Sequence, residues 1–102
     1  MSMDNSVTTI VWSLVKVKNT FKVVSECYDS QSDRVSWRLS STITGVTEEN
    51  GTYVFNTQMG CAYVCRKNAE KVTKLMMDNL EGIVVIPMKD WIEQNARIYR
   101  PV

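Results

Sequence analysis

Between Val35 and Arg66, apolar and polar side chains alternate with a period of two, and turn residues interrupt the alternation at definite points. Val35, Trp37, Leu39 and Ile43 share one parity, while Ser36, Arg38, Ser40, Thr42 and Thr44 fill the other. A chain patterned this way turns one side of each strand to a core and the other to solvent, and reads as three consecutive strands. Asn50-Gly51 accepts the two positive φ angles of a type I′ hairpin, which makes Thr52 to Thr57 the next strand. Met59-Gly60 marks the following turn, and the chain returns with Cys61, Tyr63 and Cys65 on one face and Ala62, Val64 and Arg66 on the other.

The flanking segments extend this plan. Thr8 to Val17 is apolar on both parities, as a central strand is. Lys18-Asn19-Thr20 makes a tight turn into a strand from Phe21 to Tyr28, and Asp29 to Asp33 form a loop. After Arg66 the period changes. Asn68 is a candidate N-cap, Ala69, Val72, Leu75, Met76 and Leu80 fall at helical spacing, and Gly82 stands where a left-handed C-terminal cap belongs, which predicts a helix over Asn68 to Glu81. Gly82 to Ile86 is a sixth strand or an extended connector. Pro87, at a first helical position, opens a second helix with Met88, Trp91 and Ile92 on one side. The expected fold is α+β: an antiparallel meander sheet of five strands, or six, followed by two C-terminal helices.

The 102 residues make one domain, and a chain this short often gains stability by assembling, so a homo-oligomer is expected. Twelve Lys and Arg stand against eleven Asp and Glu, mixed along the chain, which argues against a general nucleic-acid coat. There is no histidine. The usual general base near neutral pH, the Cys-His and Ser-His pairs and the commonest zinc ligand are therefore missing, which counts against an enzyme and against a metal centre. Three cysteines cannot all pair, and Cys61 and Cys65, four apart on a strand, are separated by roughly 13 Å. That usage fits a reducing cytoplasm. Met1 to Val7 lacks a basic stretch followed by an apolar one, and no apolar run approaches the roughly 18 residues of a membrane span. The reading is a cytoplasmic, non-enzymatic protein with no membrane partner and no cofactor.

A few side chains are candidates for binding. Arg38, between Ser36, Ser40 and Thr42, can hydrogen-bond an anion, although a solvent-facing strand is the plainer account. Asn56, Thr57 and Gln58 can present polar groups to a ligand or serve the turn. Trp12 and Trp37 read as core, whereas Tyr53 and Tyr63 carry hydroxyls and can border a pocket. Met76, Met77 and Met88 fill gaps in a core or offer an adaptable surface. Arg97 and Arg100 can reach a phosphate held by a second subunit. Cys61 and Cys65, inside a strand and without a His partner, read as inert thiols.

Ser36-Trp37-Arg38-Leu39-Ser40 and Thr52-Tyr53-Val54-Phe55-Asn56 are aromatic-bearing strands of the sort found in small phage-encoded proteins, and in this character the chain is similar to the anti-Thoeris sponge proteins. The resemblance implies sequestration of a cyclic-nucleotide-like immune signal in the host cytoplasm, without cleavage. The leading expectation is thus a host-defence antagonist that captures a small phosphorylated nucleotide through Arg38, Asn56, Thr57, Tyr63, Arg97 and Arg100, by stacking on the base and guanidinium contacts to phosphate. The alternatives are a protein inhibitor that covers a host enzyme or nuclease, and a nucleic-acid-binding module, with nucleic acid ranked last among the partners.

Overall fold

Two sheets, not one, organise the chain. The computed structural model describes residues 6–29, 31–81 and 83–101. In order, the elements are β1 (Ser6–Thr8), β2 (Val11–Val17), β3 (Thr20–Asp29), β4 (Arg34–Leu39), β5 (Ile43–Glu49), β6 (Thr52–Thr57), β7 (Ala62–Arg66), α1 (Lys74–Asp78), β8 (Val84–Ile86), α2 (Met88–Gln94) and β9 (Tyr99–Pro101). Single 3₁₀ turns lie at Lys67–Ala69 and Ala96–Ile98. One sheet has five strands in the order β1-β7-β6-β5-β9, the other four in the order β4-β3-β2-β8. The four-stranded sheet is antiparallel throughout. The five-stranded sheet is mixed, because β1 runs parallel to β7 and β9 parallel to β5.

This overturns the single antiparallel meander of five or six strands followed by two C-terminal helices, and each departure has a local cause. The segment Thr8 to Val17 divides at Thr9 and Ile10. The Thr9 N–H and hydroxyl both donate to Val64 O at 3.1 Å, in the five-stranded sheet, while the Ile10 N–H donates to Glu26 O at 2.8 Å, in the four-stranded one. The run from Val35 to Ile43 likewise divides at Ser40. That buried residue donates its N–H to Val23 O and accepts the Val23 N–H on its hydroxyl, which closes the β3–β4 ladder and frees the chain to enter the other sheet at Ile43. Trp37 and Ile43 share a parity in sequence but belong to different cores.

The helix predicted over Asn68 to Glu81 shrinks to five residues. The Lys71 N–H is spent on Trp12 O at 2.8 Å and Glu70 bridges to Trp12 as extended chain, so this stretch serves β2 instead of a helix. Thr73 is the true N-cap: its hydroxyl accepts from the Met76 N–H at 3.2 Å. The predicted cap at Gly82 lies outside the described residues. Pro87 sits just before α2, at the N-cap, one position earlier than expected. The run ending at Ile86, read as a sixth strand or a connector, pairs as the strand β8, and the tail, read without a strand, pairs as β9.

Hydrophobic burial follows from this layering. Trp12, Leu14 and Val23 face Val46, Tyr53, Phe55, Tyr63 and Cys65 across the space between the sheets. Met88 and Trp91 of α2 enter the same core, and the Trp91 ring stands edge-on to both Phe21 of β3 and Phe55 of β6. The opposite face of the four-stranded sheet buries Val15 and Val24 under Met76 and Leu80, with Trp37 and Leu39 packed at the margin. The four-stranded sheet is thus covered on both sides, which is why β2 is apolar on both parities.

Candidate functional site

Where β1 faces β3 and β4, the space between the sheets is left open as a cleft of about 370 Å³. The register of β3 against β4 sets Cys27 opposite Ser36 and Ser25 opposite Arg38, so alternation turns Cys27, Ser36 and Arg38 together toward this opening. Ser6, Val7 and Thr8 form the facing wall, and Tyr28 and Asp29 stand at the rim. The lining is mainly polar, and its volume falls within the range of small-molecule sites.

The charges are distinct. Asp29 accepts from the Gln31 N–H at 3.0 Å, and that bond, with further help from Ser32 and the Arg38 charge, lowers its pKa from the ordinary carboxylate value. Tyr63 of β7, in register with Val7, reaches the same region from the core. Burial raises its hydroxyl pKa, with a contribution from Cys61, while a hydrogen bond and the positive charge of Arg38 pull it back. Tyr28 is 55% exposed, and its hydroxyl bonds to Asp33, which raises its pKa; in register with Val35, its ring turns to the outer face of the sheet while its backbone borders the cleft. Deeper in, burial pushes the Cys65 thiol up to about 12, so that it stays protonated and inert. Cys27 is buried at the cleft floor, 3.4 Å from the Ser25 hydroxyl. Among the described residues no cluster of carboxylates and thiols is suited to hold a metal ion.

Of the six residues singled out in the sequence, Arg38 lines this cleft, Tyr63 is buried in the core behind it with its hydroxyl bonded to Arg38, and the other four lie elsewhere. Asn56 is exposed on the outer face of the five-stranded sheet. Thr57 is buried, and its hydroxyl donates to Cys61 O at 2.6 Å, so it serves the β6–β7 turn. Arg100 lies on β9, in register with Thr47, and Arg97 on the 3₁₀ turn before it. That edge is four strands from β1, about 19 Å away. The β1, Tyr28 and Asp29 walls were missed in the sequence because pairing of β1 with β7, a non-local parallel contact, carries no local signal.

A second, shallower hollow of about 360 Å³ lies between the Asn50-Gly51 turn and Arg66, Lys67 and Asn68. Its lysine is engaged: Lys67 pairs with Glu48, which also accepts from the Tyr99 hydroxyl, and lies over the Tyr53 ring at 5.4 Å. The first cleft, with a guanidinium among hydroxyls, is the better ligand site. No known family model, curated protein or solved structure matches the chain.

Proposed function

We propose that this protein is a binding protein that captures a small phosphorylated nucleotide in the cleft between β1 and the β3–β4 pair. The observation that carries the reading is Arg38 set among the hydroxyl-bearing residues Ser6, Thr8 and Ser36 in a cleft bordered by Asp29. A guanidinium and hydroxyls suit a phosphate, and the Asp29 carboxylate can accept from a sugar hydroxyl or an exocyclic amine. Capture without turnover, as an antagonist of host defence, is what the similarity to the anti-Thoeris sponge proteins implies.

The test is native mass spectrometry of the protein purified from infected or expressing cells, followed by calorimetric titration with whatever nucleotide is released. Loss of one charge-assisted contact costs about 1.5–3 kcal/mol, so Arg38→Ala should weaken capture by about 10- to 150-fold. Equal affinity in wild type and Arg38→Ala would sink the assignment. A second reading, inhibition of a host enzyme by surface contact, draws on the exposed apolar side chain Met77 of α1. It predicts a stoichiometric protein complex that Met77→Glu abolishes and Arg38→Ala leaves intact.

A further inference from the structure

Of the four sheet edges, three are blunted. β1, β8 and β9 are three residues long, and β9 ends in a proline. The fourth, β4, has six residues, Arg34-Val35-Ser36-Trp37-Arg38-Leu39, with no Pro, Gly or Lys to discourage pairing. Among the described residues no strand covers its outer side. Its hydrogen-bond phase can be fixed. The Ser40 N–H donates to Val23 O at 2.9 Å, and alternate residues of an antiparallel strand turn both backbone groups to the same neighbour. Ser36 and Arg38 therefore bond inward to β3, and Val35, Trp37 and Leu39 direct their N–H and C=O groups to the open edge.

We propose that two copies of this chain pair antiparallel through β4 about a two-fold axis at Trp37, so that Arg38 of each copy lies across from Ser36 of the other. Self-complementarity selects this register. With the axis at Trp37, Val35 meets Leu39 of the second copy, Trp37 meets Trp37, and all three outward residues are satisfied by about six hydrogen bonds. Moving the axis to Ser36 sets Arg34 against Arg38, and moving it to Arg38 sets that residue against itself. Both oppose like charges and satisfy fewer backbone groups. On the outer face the chosen register joins Val35, which is 48% exposed, and the half-buried Trp37 and Leu39 into one apolar stripe. On the inner face it brings two clefts side by side, each bordered by the guanidinium of its neighbour. The pairing stands on backbone phase and charge alone, whereas the shared use of Arg38 rests on the cleft being the ligand site.

Sedimentation equilibrium tests the pairing, with circular dichroism as the check on folding. Wild type should sediment at twice the 11.7 kDa chain mass. Val35→Pro removes an outward N–H that β3 does not use, so a folded single chain is expected. Ser36→Arg sets two symmetric Arg–Arg contacts across the axis and should raise the dimer dissociation constant about tenfold, and Ser36→Arg/Arg38→Glu should restore it. A wild-type monomer at about 100 μM, a dimer that survives Val35→Pro in folded form, or a Ser36→Arg variant as tight as wild type would each overturn the proposal; if Val35→Pro does not fold, the two Ser36 variants decide. A dimer with this mutational pattern that captures no nucleotide upholds the pairing and removes the ligand reading. Undiminished capture by the Val35→Pro monomer removes only the shared cleft.

Discussion

Trp12 and Trp91 form a matched pair in which one difference can be isolated. Both are fully buried in the core between the sheets, and each makes two aromatic contacts: Trp12 with Tyr53 and Phe55, Trp91 with Phe21 and Phe55. Their indole N–H groups differ. That of Trp12 donates to Arg66 O at 2.6 Å, whereas that of Trp91 has no hydrogen-bond partner among the described residues. Replacing either by Phe removes the same atoms, so the loss of apolar burial and the cavity left behind largely cancel in the comparison. Trp12→Phe also loses a hydrogen bond worth about 1 kcal/mol net, while Trp91→Phe removes an unpaired buried donor whose desolvation costs about 1–3 kcal/mol. Trp12→Phe should therefore be the more destabilising by about 3 kcal/mol. With a urea m value of about 1.5 kcal/mol/M, the two midpoints should lie about 2 M apart when unfolding is followed by far-ultraviolet circular dichroism at one protein concentration. A Trp91→Phe variant as unstable as Trp12→Phe, or more so, would refute the assignment of an unpaired donor.

Ser40→Ala deprives the Val23 N–H of its acceptor at the point where β4 leaves the sheet, and should cost about 1–3 kcal/mol, a fall in Tm of about 10 °C in a thermal scan; a shift under about 2 °C would show that water replaces the hydroxyl at no cost. The Cys65 thiol, raised by burial from its ordinary 9 to about 12, makes stability fall in alkali. The unfolded chain loses this proton from about pH 9 while the folded chain keeps it, so the contribution is complete below pH 9 and is lost as pH rises toward 12, at up to about 1.4 kcal/mol per pH unit. Burial of Tyr53 and Tyr63 acts with the same sign. Urea titrations between pH 8 and 11 should show the decline, and Cys65→Val should make it shallower; an unchanged slope would mean that the thiol is hydrated in the folded state.

Local pattern disclosed strands well and sheets badly, for a physical reason. Alternation reports which side of a strand is buried, but not against what. Val35, Trp37, Leu39 and Ile43 are all apolar at odd positions, yet the ladder closes at Ser40 and the chain passes to the other sheet before Ile43. Nothing in the run distinguishes Ser40 from the other polar residues; its hydroxyl matters only because Val23 is opposite. Likewise Asn68 to Glu81 has the spacing of a helix, but Glu70 and Lys71 have a stronger claim on their backbone groups beside Trp12. The turns at Asn50-Gly51 and Met59-Gly60 were legible because φ is positive at Asn50, Gly51 and Gly60, a constraint written in single residues. The cleft was legible only on its β4 wall. Ser36 and Arg38 stand out as a polar face, whereas the opposite wall comes from β1, distant in sequence.

The coincidence of cleft and open edge on one strand has a thermodynamic consequence. If Arg38 of each copy borders the other's cleft, a ligand bound there makes contacts in the dimer that a single chain does not offer, and binding and pairing must favour each other by the same free energy. Loss of one guanidinium contact corresponds to about 10- to 150-fold in affinity, so saturating ligand should tighten the dimer by a comparable factor at each site. The dimer dissociation constant, measured by sedimentation with and without ligand, reads this coupling directly. A constant that does not move when the cleft is full would mean that each Arg38 serves only its own chain, and that the edge and the cleft are neighbours without being partners.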